Sequence, residues 1–230
     1  MQFVDNIVAW DRAVVSAVNT WHSSFGDHFF WLISETAVWA PAAIALIVIL
    51  IRNKKIESLW IMASLILMFV FVDQVAAEII KPLVGRPRPT HDMLLIPHLE
   101  TVNGYRGGNY GFLSNHAANV FAFACFTAFL FKHKVYSLCI FAWALLVSFS
   151  RLYLAVHFPS DLMAGAVFGM LSAWAFYQLY IYISSRETAV YNINRYQYTK
   201  SLYKKRDICI LLIILATILI SLSMAAYYIY

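Results

Sequence analysis

The chain has 230 residues, of which 62% are hydrophobic and only 13% are charged, and its mean hydropathy is +0.68. A soluble domain of ordinary composition carries roughly 25% charged residues, so this composition excludes a soluble globular protein. It indicates one integral membrane domain over residues 1–230. With a net charge of +5, we expect contact with the lipid bilayer and not with nucleic acid, because the location of the charges decides their role in a membrane protein.

Residues 1–28 predict a helix that lies in the membrane interface ahead of the first span. Apolar side chains recur there at helical spacing, and the charged side chains of the segment lie off that stripe. The stripe consists of Phe3, Ile7, Trp10, Val14 and Val18. No basic leader precedes an apolar run, so we expect no cleaved signal peptide.

Six later segments are long enough, or nearly long enough, to cross a bilayer as helices. A hydrocarbon core of ~30 Å requires about 20 apolar residues in a helix. The segments are 29–51, 58–80, 114–131, 135–150, 160–184 and 208–230. The fourth is short and would have to pack within a bundle. The predicted fold is therefore all-α, a polytopic membrane bundle of six transmembrane helices plus the N-terminal interfacial helix.

Basic residues in alternate loops predict the orientation of the bundle. Lys and Arg accumulate in residues 52–55, in residues 132–134 and in the segment 185–207. By the positive-inside rule these loops are cytoplasmic. The loops 81–113 and 151–159 then face outward, towards the periplasm if the chain resides in a bacterial inner membrane, which is the location we expect.

A second basic cluster nevertheless lies in the two loops that this topology places outside. Its members are Lys81, Arg86, Arg88, Arg106 and Arg151. Fixed cations offset the charge of a phosphate, and arginine does so with bidentate geometry. Three prolines would stiffen the first basic stretch. The cluster therefore predicts a phosphate-bearing ligand, although interfacial anchoring of a span remains an alternative.

Polar residues at the start of two spans reach the same outer face. Ser114 and His116 open the third span, and His157 and Asp161 flank the start of the fifth. Helix N-termini favour an anion, and a histidine held by a carboxylate can attack phosphorus. Helix capping by Ser114 and a structural role for His116 are the alternatives. The joint occurrence on one face favours an active site.

These residues resemble the motifs of the PAP2 superfamily, which contains the type 2 phosphatidic acid phosphatases, bacterial lipid phosphatases and vanadium haloperoxidases. The motif K-x6-R-P is matched by Lys81, Arg88 and Pro89. The motif S-R-x5-H-x3-D is matched without a mismatch by Ser150, Arg151, His157 and Asp161. Order and spacing agree over the core segment 81–161, and six spans suit the bacterial membrane branch of lipid phosphatases.

The second motif, P-S-G-H, is changed in this chain to Leu113, Ser114, Asn115 and His116. In the family the glycine offers its backbone N–H to the phosphate. Asn115 retains an N–H at that position and is expected to bind phosphate, but its side chain adds bulk and polarity. The change bears on substrate shape more than on chemistry.

The resemblance implies a role for each matching residue. His157 would be the nucleophile that forms a phosphohistidine, Asp161 would orient it, and His116 would act as acid and then base. The phosphoryl oxygens would be bound by Lys81, Arg88, Ser114, Asn115 and Arg151. The resemblance implies neither a metal nor a cofactor, and no acidic cluster lies near these residues to hold magnesium.

Three further residues are expected to support the site. Glu78 precedes Lys81 by about one helical turn and would pair with it. Arg86 and Arg106 would assist binding, with Arg106 meeting a headgroup from the loop 90–113. That loop either moves over the site or is idle. Asp73, an acid inside the second span, is a weaker candidate for support.

The predicted function is a membrane lipid phosphatase or diphosphatase that acts at the outer face. Lipid A, undecaprenyl diphosphate and phosphatidylglycerol phosphate are the candidate substrates. A lipid hydroxyl as acceptor would make the protein a phosphotransferase instead. A non-catalytic lipid-binding or transport protein is the alternative from another class, and a soluble haloperoxidase is disfavoured by the six spans. The sequence leaves the oligomeric state open.

Overall fold

The computed structural model of the protein describes residues 2–184 and 199–228. Within those ranges the chain forms nine α-helices, four short 3₁₀ turns and one π-helical segment, and it contains no β-strand. The predicted all-α membrane bundle is thereby confirmed. Residues 185–198, which form most of the predicted cytoplasmic loop 185–207, lie outside the described ranges, so the orientation remains a prediction.

Two helices precede the first span. Helix α1 covers Gln2–Asn19 and α2 covers Ser24–Ser34. Ser23 caps α2 by accepting a hydrogen bond from the Gly26 N–H over 3.1 Å. Glu35 then adopts an extended conformation and ends the helix. The segment predicted as one interfacial helix over 1–28 is thus divided, and the first span begins at Thr36 rather than at residue 29.

Five helical segments of the described chain are long and apolar enough to cross a membrane. The first consists of a 3₁₀ turn, Thr36–Trp39, and α3, Ala40–Lys54. The second joins α4, Glu57–Gln74, through a π-helical segment to α5, Lys81–Val84. The others are α7, Lys134–Tyr153, α8, Pro159–Ser184, and α9, Lys205–Tyr228. The fourth predicted span, expected to be short, is therefore a 20-residue helix.

Helix α6, Asn115–Phe131, is the remaining predicted span, and at 17 residues it is shorter than the others. It packs against both α7 and α8. Gly165 and Gly169 permit the approach of α8, because a Cβ at Gly169 would lie 2.1 Å from the Ala118 carbonyl oxygen. Small residues four apart commonly allow such close helix packing in membranes. The start of α6 is consequently held against the start of α8, where the Ser114 N–H donates to the Asp161 carbonyl over 3.1 Å.

A π-helical segment, Val75–Ile80, leads directly into Lys81. The Lys81 N–H donates to the Ala76 carbonyl, five residues back, and the next residue is Pro82, which has no N–H to offer. Gly85, with φ of +61°, ends α5 and turns the chain outward. The altered helical register sets the direction in which Lys81 projects.

The loop 85–113 is tied to α1 rather than free. Arg12 pairs with Asp92 over 2.8 Å. The side chain of Asn19 both donates to the Glu100 carbonyl and accepts from the Glu100 N–H, each over 2.9 Å. Helix α1 therefore holds this loop in place. The sequence alone allowed either movement of the loop over the site or no role for it.

Candidate active site

The three motif stretches converge at one end of the bundle. They are the chain that leaves α5, the N-terminus of α6 and the segment between α7 and α8. Lys81 Nζ donates to the side chain of Asn115, which precedes His116 at the start of α6. The Arg88 Nη1 atom lies 3.3 Å from the His157 Nε2 atom. Residues that are widely separated in the sequence therefore form one cluster, as the motif spacing predicted.

His157 and Asp161 form a buried pair across Pro159. The His157 Nδ1 atom lies 3.6 Å from the Asp161 Oδ2 atom, and both side chains are nearly inaccessible to solvent. Asp161 Oδ2 also accepts from the Phe158 N–H over 2.9 Å, which fixes the carboxylate. Because an arginine only donates, the Arg88 contact assigns the lone pair of His157 to Nε2 and its proton to Nδ1, facing Asp161.

The environment of His157 favours its neutral form. Burial lowers the pKa of this imidazole well below its usual value, and the positive charges of Arg88, Arg151 and Lys81 lower it further. A neutral imidazole with a lone pair on Nε2 is the form required for nucleophilic attack.

Arg86 holds the carboxylate of Asp161 in place from the other side. Its Nη1 atom donates to Asp161 Oδ1 over 2.9 Å, and its Nη2 atom donates to Asp11 Oδ2 over 2.6 Å. The guanidinium also lies over the Phe158 ring, 4.2 Å from its centroid. Asp11 in turn accepts from the Ser160 N–H over 3.0 Å. Arg86 is thus compensated by two carboxylates, and α1 joins the support of the site.

Arg88 and Arg151 retain donors that the rest of the described chain does not satisfy. Arg88 Nη1 donates to the Val156 carbonyl over 3.1 Å, and Arg151 Nη2 donates to the Tyr105 hydroxyl over 3.3 Å. The Nε atoms of both guanidinium groups are buried and have no hydrogen-bond partner in the described residues. Buried polar groups are normally satisfied, so these donors fit an anionic ligand.

Ser114 and Asn115 form the start of α6 in different ways. Ser114 is fully buried and caps the helix by accepting from the Ala117 N–H over 3.4 Å, as its sequence position predicted. The Asn115 Oδ1 atom accepts a hydrogen bond from Lys81 Nζ, and its Nδ2 atom donates to Asp73 Oδ1 over 3.1 Å. Asn119 donates to the same Asp73 oxygen over 2.9 Å.

Two of the expected supporting residues make no side-chain hydrogen bond or ion pair with the cluster in the described residues. Glu78 is exposed, and Lys81 donates to Asn115 instead, so the predicted pairing of Glu78 with Lys81 is wrong for the described chain. The π-helical segment changes the spacing on which an α-helical pairing depends. Arg106 is also exposed, and its backbone carbonyl accepts from Thr90 Oγ1 over 2.7 Å.

Sequence reasoning missed Asp11 and Tyr105 and gave too little weight to Asp73. Asp11 is an acid off the apolar stripe of α1, and Asp73 is an acid within a span; both were visible signals without an obvious partner. Tyr105 is adjacent to Arg106 in a glycine-rich loop and gave no such signal. In the described residues no group of three or more His, Cys, Asp or Glu side chains is arranged to hold a metal ion.

Fold and site together define a helical membrane protein equipped to bind a phosphoryl group and transfer it. A buried imidazole lies beside two guanidinium groups whose Nε donors have no partner in the described residues, an arrangement of charge and donors that suits a phosphoryl group. The sequence model of the PAP2 superfamily matches residues 58–185. The chain belongs to the PAP2 superfamily, so the resemblance found in the motifs is confirmed, as is the predicted enzyme class, a PAP2-type phosphatase.

Two curated relatives carry the same description. A lipid A 4′-phosphatase of Porphyromonas gingivalis is 34% identical over 80% of this chain and 78% of that protein. A lipid A 4′-phosphatase of Bacteroides thetaiotaomicron is 37% identical over 77% of this chain and 78% of that protein.

Two solved structures share the fold. The transmembrane PAP2-type phosphatidylglycerolphosphate phosphatase of Bacillus subtilis has a TM-score of 0.59 at 21% identity, covering 81% of this chain and 90% of that one. LpxE of Aquifex aeolicus has a TM-score of 0.52 at 22% identity, covering 72% of this chain and 93% of that one. Both are similar to this chain in architecture.

Proposed function

We propose that this protein hydrolyses the 4′-phosphate of lipid A at the outer, periplasmic face of a bacterial inner membrane, through a phosphohistidine on His157. The substrate is inferred from the two curated relatives, which are 34% and 37% identical over most of this chain. The observation that carries the mechanism is the placement of His157, with Nε2 beside Arg88 and Nδ1 facing Asp161.

The first step is the capture of the phosphate monoester. Lys81, Arg88 and Arg151 offset its negative charge, and the unsatisfied guanidinium donors bind its oxygens. The N-terminus of α6, with the Asn115 N–H at its first turn, contributes the favourable end of the helix dipole. The phosphorus is thereby held against the His157 imidazole.

In the second step His157 Nε2 attacks phosphorus, and the bond from phosphorus to the lipid oxygen breaks. His116 donates a proton to that leaving oxygen, which releases the dephosphorylated lipid. Asp161 stabilises the positive charge that develops on the His157 ring. The product of this step is a phosphohistidine and a neutral His116.

The third step reverses the role of His116. The neutral imidazole accepts a proton from water as that water attacks the phosphohistidine, and the bond from nitrogen to phosphorus breaks. Inorganic phosphate leaves, His157 regains its lone pair and His116 regains its proton. No proton is gained or lost by the protein over the cycle.

The outward orientation is supported by the distribution of charge. The basic segments 52–55, 132–134 and 185–207 lie in alternate loops, opposite to the loops that carry the site. A cysteine introduced at Asn109, in the exposed loop over the site, should react with an impermeant thiol reagent in intact cells. Protection of Asn109→Cys, combined with labelling of a cysteine at Arg52, would reverse the assignment.

The proposed substrate is tested by assaying the purified protein in detergent on lipid A. We expect release of inorganic phosphate and a lipid product that is lighter by one phosphate and retains its 1-phosphate. His157→Gln should abolish both signals, whereas Arg106→Gln, an exposed arginine of the same face, should retain them. Phosphate appearing on a second lipid instead of in solution would contradict hydrolysis and identify a phosphotransferase.

A further inference from the structure

A cavity of about 560 Å³ adjoins the cluster and is lined by residues of α3, α4, α6, α7 and α9 and of the segment just before α3. Its walls are mostly aromatic and aliphatic, and they include Phe69, Val120, Phe123, Ile140, Trp143 and Leu215. Volumes of roughly 300–1,000 Å³ are typical of ligand sites. The cavity is therefore large enough to hold part of a lipid.

One end of this cavity adjoins the proposed chemistry. His116 lines it together with Asp73 of α4 and with Asn115 and Asn119 of α6, and Ser34 and Thr36 line it at the start of the first span. His157, Arg88 and Arg151 do not line it. His116 thus lies between the phosphate-binding cations and the cavity.

The direction of the reaction places the lipid on the cavity side. The attacking and leaving atoms lie roughly in line through phosphorus, so the leaving oxygen is opposite His157 and next to its proton donor, His116. The remainder of the lipid must extend from that oxygen. The cavity that begins at His116 is the apolar space available to it.

The cavity extends along α7 by a distance that suits an acyl chain. Along α7 its lining runs from Val147 through Trp143 and Ile140 to Tyr136, a depth of about 16 Å at the ~1.5 Å rise per residue of an α-helix. Tyr136 is fully buried, and its hydroxyl donates to Thr127 over 3.0 Å, so it closes the far end without an unsatisfied polar group.

Two polar atoms in the lining are left without partners. Asn119 Oδ1 and Trp143 Nε1 are buried and have no hydrogen-bond partner in the described residues. One is an acceptor and the other a donor. An amide or a hydroxyl group of a ligand can pair with either atom, whereas a plain hydrocarbon pairs with neither.

We propose that this cavity binds one acyl chain of the substrate lipid, with an amide or hydroxyl of that chain at Asn119 or Trp143. The proposal rests on the proposed function, because it takes the lipid as the leaving group. In this proposal Leu215, Val147 and Tyr136 determine how long an acyl chain the cavity accepts. Ordinary membrane lipid occupying the cavity without any effect on catalysis is the competing outcome.

The test uses Leu215→Phe, which places extra volume in the cavity, and Ile213→Phe as its matched control. Ile213 is on the same helix but is 63% exposed on the outer surface of the bundle. Substrates are para-nitrophenyl phosphate and lysophosphatidic acids with hexanoyl or palmitoyl chains. Leu215→Phe should lower kcat/KM for the palmitoyl substrate by about tenfold, as expected when about two methylenes leave an apolar site.

The same variant should still hydrolyse para-nitrophenyl phosphate and the hexanoyl substrate, which shows that it is folded, while its ratio of kcat/KM for the palmitoyl over the hexanoyl substrate falls. Ile213→Phe should resemble wild type on all three. An active Leu215→Phe enzyme with unchanged chain-length preference would overturn the acyl-chain site alone. A wild-type enzyme that releases no phosphate from any of the three substrates or from lipid A would overturn the proposed function, and this inference with it.

A second variant tests the polar contact. Trp143→Phe keeps an aromatic ring but removes the indole N–H. It should reduce the preference for a 3-hydroxypalmitoyl over a palmitoyl substrate by about tenfold, the discrimination expected from one hydrogen-bonded group. If Trp143→Phe and wild type show the same preference for the 3-hydroxypalmitoyl substrate, the Trp143 N–H does not bind the chain.

Discussion

The Asp73 Oδ1 atom accepts a hydrogen bond from Asn115 Nδ2 over 3.1 Å. At the position of Asn115 the family motif has glycine, which has no side chain to form this bond. An ionised carboxylate only accepts, so Asp73 requires the amide group of Asn115 to face it. The amide oxygen must then face the other way, where Lys81 Nζ donates to it. Asp73 therefore orients Lys81 through Asn115.

This relay predicts that Asp73→Ala lowers kcat/KM by about tenfold, the effect of one hydrogen bond to a charged group worth about 1.5 kcal/mol. Glu78→Ala is the control, since Glu78 is an exposed acid of the same span. In an Asn115→Gly background, which restores the family residue, Asp73→Ala should lower kcat/KM only slightly. An equal loss in both backgrounds would show that Asp73 acts by another route.

The contacts of Arg86 predict a loss of stability when its charge is removed. Arg86→Met leaves Asp11 and Asp161 as buried carboxylates without their cation, and such a change costs about 3 kcal/mol. The free energy of unfolding, measured in detergent, should fall by about this amount. Adding Asp11→Asn to Arg86→Met should recover part of the loss. Wild-type stability with reduced substrate affinity would instead indicate that Arg86 binds the substrate.

The lowered pKa of His157 predicts how activity responds to acid. Because the buried imidazole beside Arg88 and Arg151 resists protonation, it remains a nucleophile at pH values below its usual pKa of about 6.5. The fall in kcat/KM caused by its protonation should lie well below pH 6.5. Removing a neighbouring cation makes protonation of His157 easier. Arg88→Gln should therefore move the acid limb of the pH profile, where kcat/KM falls, to higher pH.

The matched control for that pH profile is Arg106→Gln, which removes an exposed arginine from the same loop. The second ionisation of the phosphate, near pH 6, is common to every variant and cancels in the comparison. An acid limb at the same pH in wild type, Arg88→Gln and Arg106→Gln would contradict the electrostatic effect of Arg88 on His157.

The close contact of α6 with α8 predicts a strong effect of Gly169→Ala. The added Cβ would lie 2.1 Å from the Ala118 carbonyl oxygen, a backbone atom that cannot move alone. We expect a loss of about 2 kcal/mol in unfolding free energy, typical of overpacking, and lower activity because the same helices carry Ser114 and Asp161. Gly108→Ala, where no atom lies within 4 Å, should leave both unchanged.

The spacing of motif residues was the most informative part of the sequence. Lys81, Arg88, Arg151 and His157 could be placed together because each lies at the outer end of a predicted span. Asp11 could not, since a single acid in an amphipathic helix does not indicate which distant arginine it will meet. Its pairing with Arg86 depends on how α1 folds back over the bundle.

Errors in the predicted elements have local causes. Residues 29–33 are apolar and continue the pattern of the first span, so periodicity alone did not reveal that α2 ends at Ser34. The polar residues Ser34, Glu35 and Thr36 were the signal for that boundary. The pairing expected for Glu78 assumed α-helical spacing, which the π-helical segment before Pro82 removes.

The central claim, covalent catalysis by His157, is tested most directly by trapping the intermediate. Lipid A labelled in its 4′-phosphate is mixed with purified enzyme, and the reaction is quenched in alkali within the first turnover. We predict protein-bound phosphate that is stable in alkali, labile in acid, located on His157 and absent from His157→Gln. Continued release of phosphate by His157→Gln, or label found on any other residue, would contradict the account.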